Sequence, residues 1–343
     1  MTAPRPDAQR IGITFASFMG LGIDTGLTAA RLAEELGYES FWTAETSGLE
    51  AFSSLTAAGG VAPSLGLGTG VIAIQLRTPM LAAMSAATLQ ALHPETDVVL
   101  GIGISSPVVT EQWHGAPYGD RPVARIREYV ALVREILAGD SVTFEGDFYH
   151  CRRARLGVRL GDRKPKIAIG ALNPEMLRLA GEVGDGVLLN YLPASHVPWS
   201  VERVREGEAR RTDSGSCTIY GYVHVGVCDR PDGIDLARRD LFSYAVVDSY
   251  ARNFERAGFG DEVAEVRERH AAKDRDGALA GVSDRMVDAI DVMGDAEHVR
   301  QTVDEYRANG VEVPIVMPLP WGPDRMAVVD TTMRAARAGA DRV

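Results

Sequence analysis

DVVLGIGISSPVVTEQWHGAPYGDR, residues 97–121, is the stretch that decides the fold. Its first part, DVVLGIG, is an apolar run of strand length. Strands buried on both faces read as continuous hydrophobic runs rather than alternating ones. Ser105-Ser106-Pro107 then turns small and polar, and Glu111, Trp113 and His114 lead on to Pro122, which suits a helix start. An apolar strand ending in glycine and serine just before a helix is where an α/β protein puts a ligand. Glycine lets a ligand approach the backbone, and the loops at the carboxyl ends of parallel strands face the site in barrels and open sheets alike.

The same unit repeats outward in both directions. Before it lie strands at 11–16 (IGITFA), 38–43 (YESFWT) and 65–74 (LGLGTGVIAI), with helices expected at 27–36, 52–62 and 79–92. After the helix at 122–138 the rhythm breaks: 142–149 (VTFEGDFY) alternates around Glu145-Gly146 like a small hairpin. Strands resume at 166–169 (KIAI), 186–189 (GVLL), 218–227 (TIYGYVHVGV) and 311–317 (VEVPIVM), with helices at 174–183, 201–211, 296–308 and 324–338. Eight apolar strands alternating with helices require parallel pairing through right-handed crossovers, and eight is the number that closes. The expected fold is one (β/α)8 TIM barrel domain over residues 1–343. It carries an insertion after the fourth strand (140–164) and a larger, mostly helical one after the seventh (235–291). The competing arrangement is a doubly wound open sheet.

The 343 residues suffice for a large core, and 45% apolar with 24% charged residues is a globular composition. A net charge of −11 argues against non-specific binding to nucleic acid or an acidic membrane. An anionic ligand would need local arginines and backbone amides. The three cysteines (151, 217 and 228) form no CxxC, so neither a disulfide framework nor a zinc site is indicated, and a reducing cytoplasm fits. The first ten residues, MTAPRPDAQR, show no apolar h-region, and no apolar run approaches a membrane span.

Several common chemistries lack their motif. The glycines of 66–70 and 101–103 do not complete G-x-G-x-x-G, and read as close strand packing inside a barrel. No histidine pair has HxH or HxxxH spacing, so no metal is expected, and Ser105-Ser106 is not a G-x-S-x-G elbow. Gly170-Ala171-Leu172-Asn173-Pro174 joins an apolar strand to a helix, with Asn173 at the cap position and Pro174 behind it. Backbone amides and the helix dipole make such a start either an anion site or simply a well-capped helix.

Four stretches taken together resemble the luciferase-like monooxygenase superfamily, in its coenzyme F420-dependent branch. They are Leu67-Gly68-Thr69-Gly70-Val71 with Arg77-Thr78-Pro79; 100–107 with Trp113-His114-Gly115; 167–173; and 180–186. The likeness covers about 11–190 and returns at 294–317. It implies a deazaflavin (F420), or alternatively FMN, at the carboxyl-terminal face of the barrel. It places Gly70-Val71 at a third-strand bulge where members often have a non-proline cis peptide behind the ring. Ser105 and Ser106 fall on the loop reaching the cofactor, and Gly170, Ala171 and Leu172 on a backbone phosphate cradle.

One departure bears on chemistry. Many F420-dependent members show Asp-His after the second strand, where this chain has Ala44-Glu45. Glu45 is therefore the candidate proton-handling residue, since a carboxylate in a partly dry cleft can serve as general acid or base; the alternative is a hydrogen bond to a neighbouring loop. Leu92 to Thr96, where relatives have a Gly-Arg-rich turn, lies at the other end of the barrel. His114 is the second catalytic candidate, with Trp113 beside it as substrate contact or loop anchor. His224 reads as a barrel-interior histidine. The expected function is hydride transfer between F420 and a small organic substrate, with no nucleic-acid or membrane partner and a homodimer admitted. The alternatives are an FMN-dependent monooxygenase and a non-catalytic flavin-binding barrel.

Overall fold

The computed structural model describes residues 10–338; the expectation for the first ten residues lies almost wholly outside that range. In chain order the elements are β1 (Gly12–Thr14), α1 (Ile23–Glu35), β2 (Ser40–Thr43), α2 (Ala51–Val61), β3 (Gly66–Thr69), β4 (Ile72–Ala73), α3 (Pro79–Leu92), β5 (Val98–Gly103), α4 (Pro122–Ala138), β6 (Val142–Glu145), β7 (His150–Ala154), β8 (Lys166–Gly170), α5 (Pro174–Val183), β9 (Gly186–Leu189), α6 (Val197–Glu208) and β10 (Thr218–Val227). Then come α7 (Arg230–Ala245), α8 (Asp248–Phe254), α9 (Gly260–Ala271), α10 (Arg275–Ala280), α11 (Asp284–Ile290), β11 (Val292–Gly294), α12 (Ala296–Ala308), β12 (Val313–Pro318) and α13 (Arg325–Arg337).

Strands β1, β2, β3, β5, β8, β9, β10 and β12 pair in that order, all parallel, and β12 pairs back to β1. The ring is closed, so the chain is a (β/α)8 barrel and not an open sheet. Its interior is filled rather than hollow, as small barrels are: Trp42, Tyr220, Tyr222, Leu188, Ile315 and Met317 pack together inside it. Glycine makes this possible. A β-carbon on Gly68 would lie 2.5 Å from the Trp42 ring, and one on Gly101 would run into the Thr69 carbonyl. Thr69 completes that contact, its hydroxyl both donating to the Gly101 carbonyl and accepting from the Gly101 amide at 2.8 Å.

Three elements differ from expectation in ways that shape the site. The third strand is not continuous: Gly70-Val71 divides it into β3 and the two-residue β4, which pairs with β5 farther along. The first insertion is a hairpin whose turn falls at 146–149, later than Glu145-Gly146, because Glu128 of α4 accepts the amides of Asp147, Phe148 and Tyr149 there. The second insertion starts at α7 and ends in β11, which pairs with Val225–Val227 at the carboxyl end of β10. Its helices hold their own apolar cluster, including Leu241, Phe254, Val266 and Met286, into which the barrel inserts Tyr191.

Candidate active site

The carboxyl ends of the strands form one mouth whose two sides differ. Side chains alternate in and out along a strand, and where β3, β5 and β8 reach the mouth the inward positions are Gly70, Gly103 and Gly170. Only Val71 crosses this side: β-carbons on Gly103 and Gly170 would come within 2.7 and 3.1 Å of its methyls. The result is a shelf of glycine backbone covered by the Val71 side chain. The Gly70–Val71 peptide is cis, and the Tyr222 hydroxyl donates to the Gly70 carbonyl at 2.8 Å from inside the barrel. On the opposite side β9 and β10 bring Asn190 and His224, one step beyond Leu188 and Tyr222.

The loops around the shelf are tied to one another. The Gly70 amide donates to Thr43 (2.7 Å) and the Glu45 amide to Val71 (3.4 Å). Gln75 donates to the Ile104 and Tyr118 carbonyls. His114 reaches across to the Thr46 carbonyl at 2.5 Å. A carbonyl only accepts, so His114 Nε2 carries a hydrogen and a neutral ring keeps its lone pair on Nδ1. Glu45, His114, Gly70, Val71, Ser105 and Ser106 are thus brought to one region. Trp113 is no buried anchor; it is 57% exposed on a wide helical turn spanning 108–113. Ser105 has left-handed backbone (φ 52) and Ser106 Oγ accepts the Val109 amide at 3.4 Å, which starts that turn.

Glu45 is not a lone carboxylate. Arg77 grips it with Nε on Oε2 (3.0 Å) and Nη2 on Oε1 (2.8 Å), and the Ala51 amide adds 3.4 Å to Oε1. Arg77 also pairs with Glu50, which caps α2. This network is the loop-anchoring role weighed against proton handling, and it holds Glu45 in one place.

At the fifth strand the Ala171 amide is spent on the Leu188 carbonyl (3.2 Å). Asn173 stands at the cap position of α5 with extended backbone, yet its side chain caps no amide. Its Oδ1 instead accepts from Arg256 at 2.5 Å, and the same guanidinium nitrogen lies 3.4 Å from the Leu172 carbonyl. The first amides of α5 therefore lack their expected side-chain cap, with a cation beside them, which favours the anion-site reading. Sequence reading missed Arg256 because it comes from the second insertion, 83 residues away.

Behind Asn190 and His224 lies a buried polar cluster. His224 Nδ1 meets Asp291 Oδ1 at 2.9 Å and Nε2 meets Asn190 Oδ1 at 2.8 Å. Tyr191 donates to Asp240 (2.9 Å), and its ring lies against that of Tyr244, tilted by 33° with centroids 3.8 Å apart. Burial pushes Asp291 up to about 8, and burial with the neighbouring Asp291 charge pushes Asp240 up to about 7. Burial holds His224 down at about 4, against the pull of Asp240. One ligand-type atom from each of His224, Asp240 and Asp291 lies within 4.8 Å of the others, a grouping no sequence spacing signalled. Asn190 was findable: it is the polar residue ending the apolar run GVLLN at the carboxyl end of a strand. A surface groove of about 660 Å³ on the outer side of α4, lined by Arg121, Arg127 and Phe148, contains none of these residues.

The mouth of a filled barrel thus combines a glycine shelf with a basic helix start beside it. The chain belongs to the luciferase-like monooxygenase family, whose profile matches residues 12–312. It is 31% identical over 308 residues to a Mycobacterium tuberculosis protein named as a coenzyme F420-dependent oxidoreductase, covering 83% of this chain and 88% of that one. It is 30% identical over 302 residues to the 5,10-methylenetetrahydromethanopterin reductase of Archaeoglobus fulgidus, covering 86% and 89%. The solved coenzyme F420-dependent tetrahydromethanopterin reductase of Methanopyrus kandleri has the same fold, with TM-score 0.78 at 22% identity, covering 96% of this chain and 97% of that one. Within the family the chain stands with the F420-dependent oxidoreductases. Among the described residues no helix is long and apolar enough to cross a membrane.

Proposed function

We propose that this protein transfers a hydride between F420 and a small organic substrate, in the cytoplasm, with no nucleic-acid or membrane partner. The observation that carries the reading is the shelf of Gly70, Gly103 and Gly170 facing a basic, uncapped helix start. The shelf accepts a flat ring; the amides at the start of α5, together with Arg256, suit its phosphate. In this reading Gly70 and Val71 back the ring, Ser105 and Ser106 line its edge, and Gly170, Ala171 and Leu172 shape the phosphate end. Ala171 contributes shape only, since its amide is already used.

The deazaflavin supplies the hydride chemistry when bound; the protein must position the partners, exclude water and handle a proton. Glu45 and His114 are the residues proposed for the proton. His114 offers Nδ1 as acceptor, because Nε2–H is held by Thr46. Glu45 is fixed by Arg77 and would exchange one of those contacts for a substrate proton. Placing a base within hydrogen-bond reach is the first requirement for such catalysis.

The test is equilibrium titration of the purified protein with F420 and with FMN, then oxidation of each reduced cofactor with and without oxygen. F420 is expected to bind at least tenfold tighter, roughly 1.4 kcal/mol. Reversed affinities with oxygen-dependent turnover would install the FMN monooxygenase. Binding without turnover on any hydride acceptor or donor would leave a flavin-binding barrel.

A further inference from the structure

We propose that Asn190 reads the bound ring: its side-chain amide donates to a carbonyl oxygen on the pyrimidinedione edge, and His224 and Asp291 are positioning residues that fix which way the amide faces. The inference rests on the cofactor reading above and goes further by naming the contact. Flavin and deazaflavin share that edge, so the chemistry is common to both.

The orientation follows from donors and acceptors alone. The backbone N–H of Tyr191, which can only donate, lies 2.9 Å from one terminal atom of the Asn190 side chain. That atom must be the oxygen. His224 Nε2 lies 2.8 Å from the same oxygen, so it must carry a hydrogen too. The other ring nitrogen then faces Asp291 Oδ1 at 2.9 Å. With burial holding His224 neutral and Asp291 protonated, the carboxyl donates to Nδ1 through Oδ1 and both ring nitrogens of His224 are satisfied, while Asp291 Oδ2 has no partner.

Both bonds found for this side chain use Oδ1, which leaves the two N–H bonds of Nδ2 for something else. Asn190 is half-buried, while His224 is 2% exposed and Asp291 is fully enclosed. The open end is therefore the amide nitrogen. Its place is set by the strand below it: Leu188 lies against Gly70, where an added β-carbon would come 3.0 Å from a Leu188 methyl. Asn190 is the next inward position of the same strand toward the mouth. On that placement we assign its free donors to the space over Gly70-Val71.

The test uses F420 and FMN as probes and affinity as readout. Asn190→Asp keeps the shape and both accepted bonds but replaces Nδ2 with an oxygen that repels a carbonyl. Asn190→Leu removes the donor without adding charge. Each is expected to bind at least tenfold more weakly whichever cofactor the wild type binds, with Tm close to wild type. His224→Leu, which frees the amide to turn over, is expected to share part of that loss. His224→Gln, which offers an amide N–H in place of Nε2–H, is expected to recover it. Wild-type affinity in a folded Asn190→Asp or Asn190→Leu variant overturns the contact, and wild-type affinity in His224→Leu overturns the positioning role. If the wild type binds neither F420 nor FMN, the cofactor reading fails first and this inference with it; a wild type that binds and variants that bind equally well remove this inference alone.

Discussion

Glu45 stands where relatives of this branch often carry a histidine, and what it does depends on whether one oxygen can leave Arg77. Glu45→Gln keeps the shape and removes the titration. The expected result is a fall in turnover of about 10²–10⁴, the usual share of a general acid or base, with F420 affinity nearly unchanged. Steady-state rates across pH check it. A variant with wild-type rates and a lower Tm would leave Glu45 as a clamp between the second-strand loop and α2, and His114 would be tested next. Arg256 carries a separate expectation. Arg256→Met keeps much of the packing against Trp199, whose ring centroid lies 5.4 Å from the guanidinium, but loses the charge. A hydrogen bond to a charged group contributes about 1.5–3 kcal/mol, so F420 should bind roughly ten- to a hundredfold more weakly, read by the same titration. Unchanged affinity would put the phosphate elsewhere. Gly170 is a poorer probe of that cradle, because a β-carbon there would press on Val71 at 3.1 Å and disturb the shelf as well.

The elements of the barrel were legible in the sequence wherever burial wrote a continuous pattern. The helix at 122–138, the strands at 186–189 and 218–227 and the helix at 296–308 match their expected limits, because proline starts, glycine stops and apolar runs are local signals. The break in the third strand was not legible from periodicity, since LGLGTGVIAI is apolar on both sides of Gly70-Val71; the family likeness supplied it. Nor was the link between β10, β11 and α7. Asp291 stands between Ile290 and Val292-Met293 with no spacing to any other polar partner that would mark it, yet it is fully enclosed and paired to His224. This link makes stability depend on pH. Between about 4 and 6.5 the effects oppose: unfolding lets His224 gain a proton and lets Asp240 and Asp291 lose theirs. From 6.5 to about 8 only the two carboxyls matter. Their folded forms hold protons that the unfolded chain has released, so stability falls as pH rises. Tyr191, Tyr244 and Tyr250 around them are pushed further above their ordinary range and stay neutral in that window. Thermal melts should therefore show Tm dropping from pH 6.5 to 8 in the wild type and a flatter slope in Asp291→Asn. Parallel slopes would mean that the cluster holds no extra proton.

For the whole molecule, eight-fold alternation was enough to identify a closed barrel, but the contacts that finish its mouth come from positions far apart in the chain. The outer surface raises the matter of a second copy. Leu81, Met84 and Leu92 on α3 are 43%, 44% and 56% exposed, at spacings that keep Leu81 and Met84 on neighbouring turns of one face. The proposed homodimer would bury this stripe. Light scattering after size exclusion is expected to give twice the 36.9 kDa chain mass, and Leu81→Glu with Met84→Glu to give one chain. A wild-type monomer at micromolar concentration would remove the proposal. The closure of the ring has a consequence for the growing polypeptide. β12 fits between β10 and β1, so the first strand made waits some 300 residues for its second neighbour. A nascent chain that has emerged only as far as residue 228 holds seven barrel strands with two open edges, no partner for His224 Nδ1 and nothing across from Arg256's place at α5. It has the shelf residues but neither Asp291 nor the last strand. Ring closure thus waits for residues 313–318, and until they emerge the edges of β10 and β1 stay unpaired and open to wrong partners.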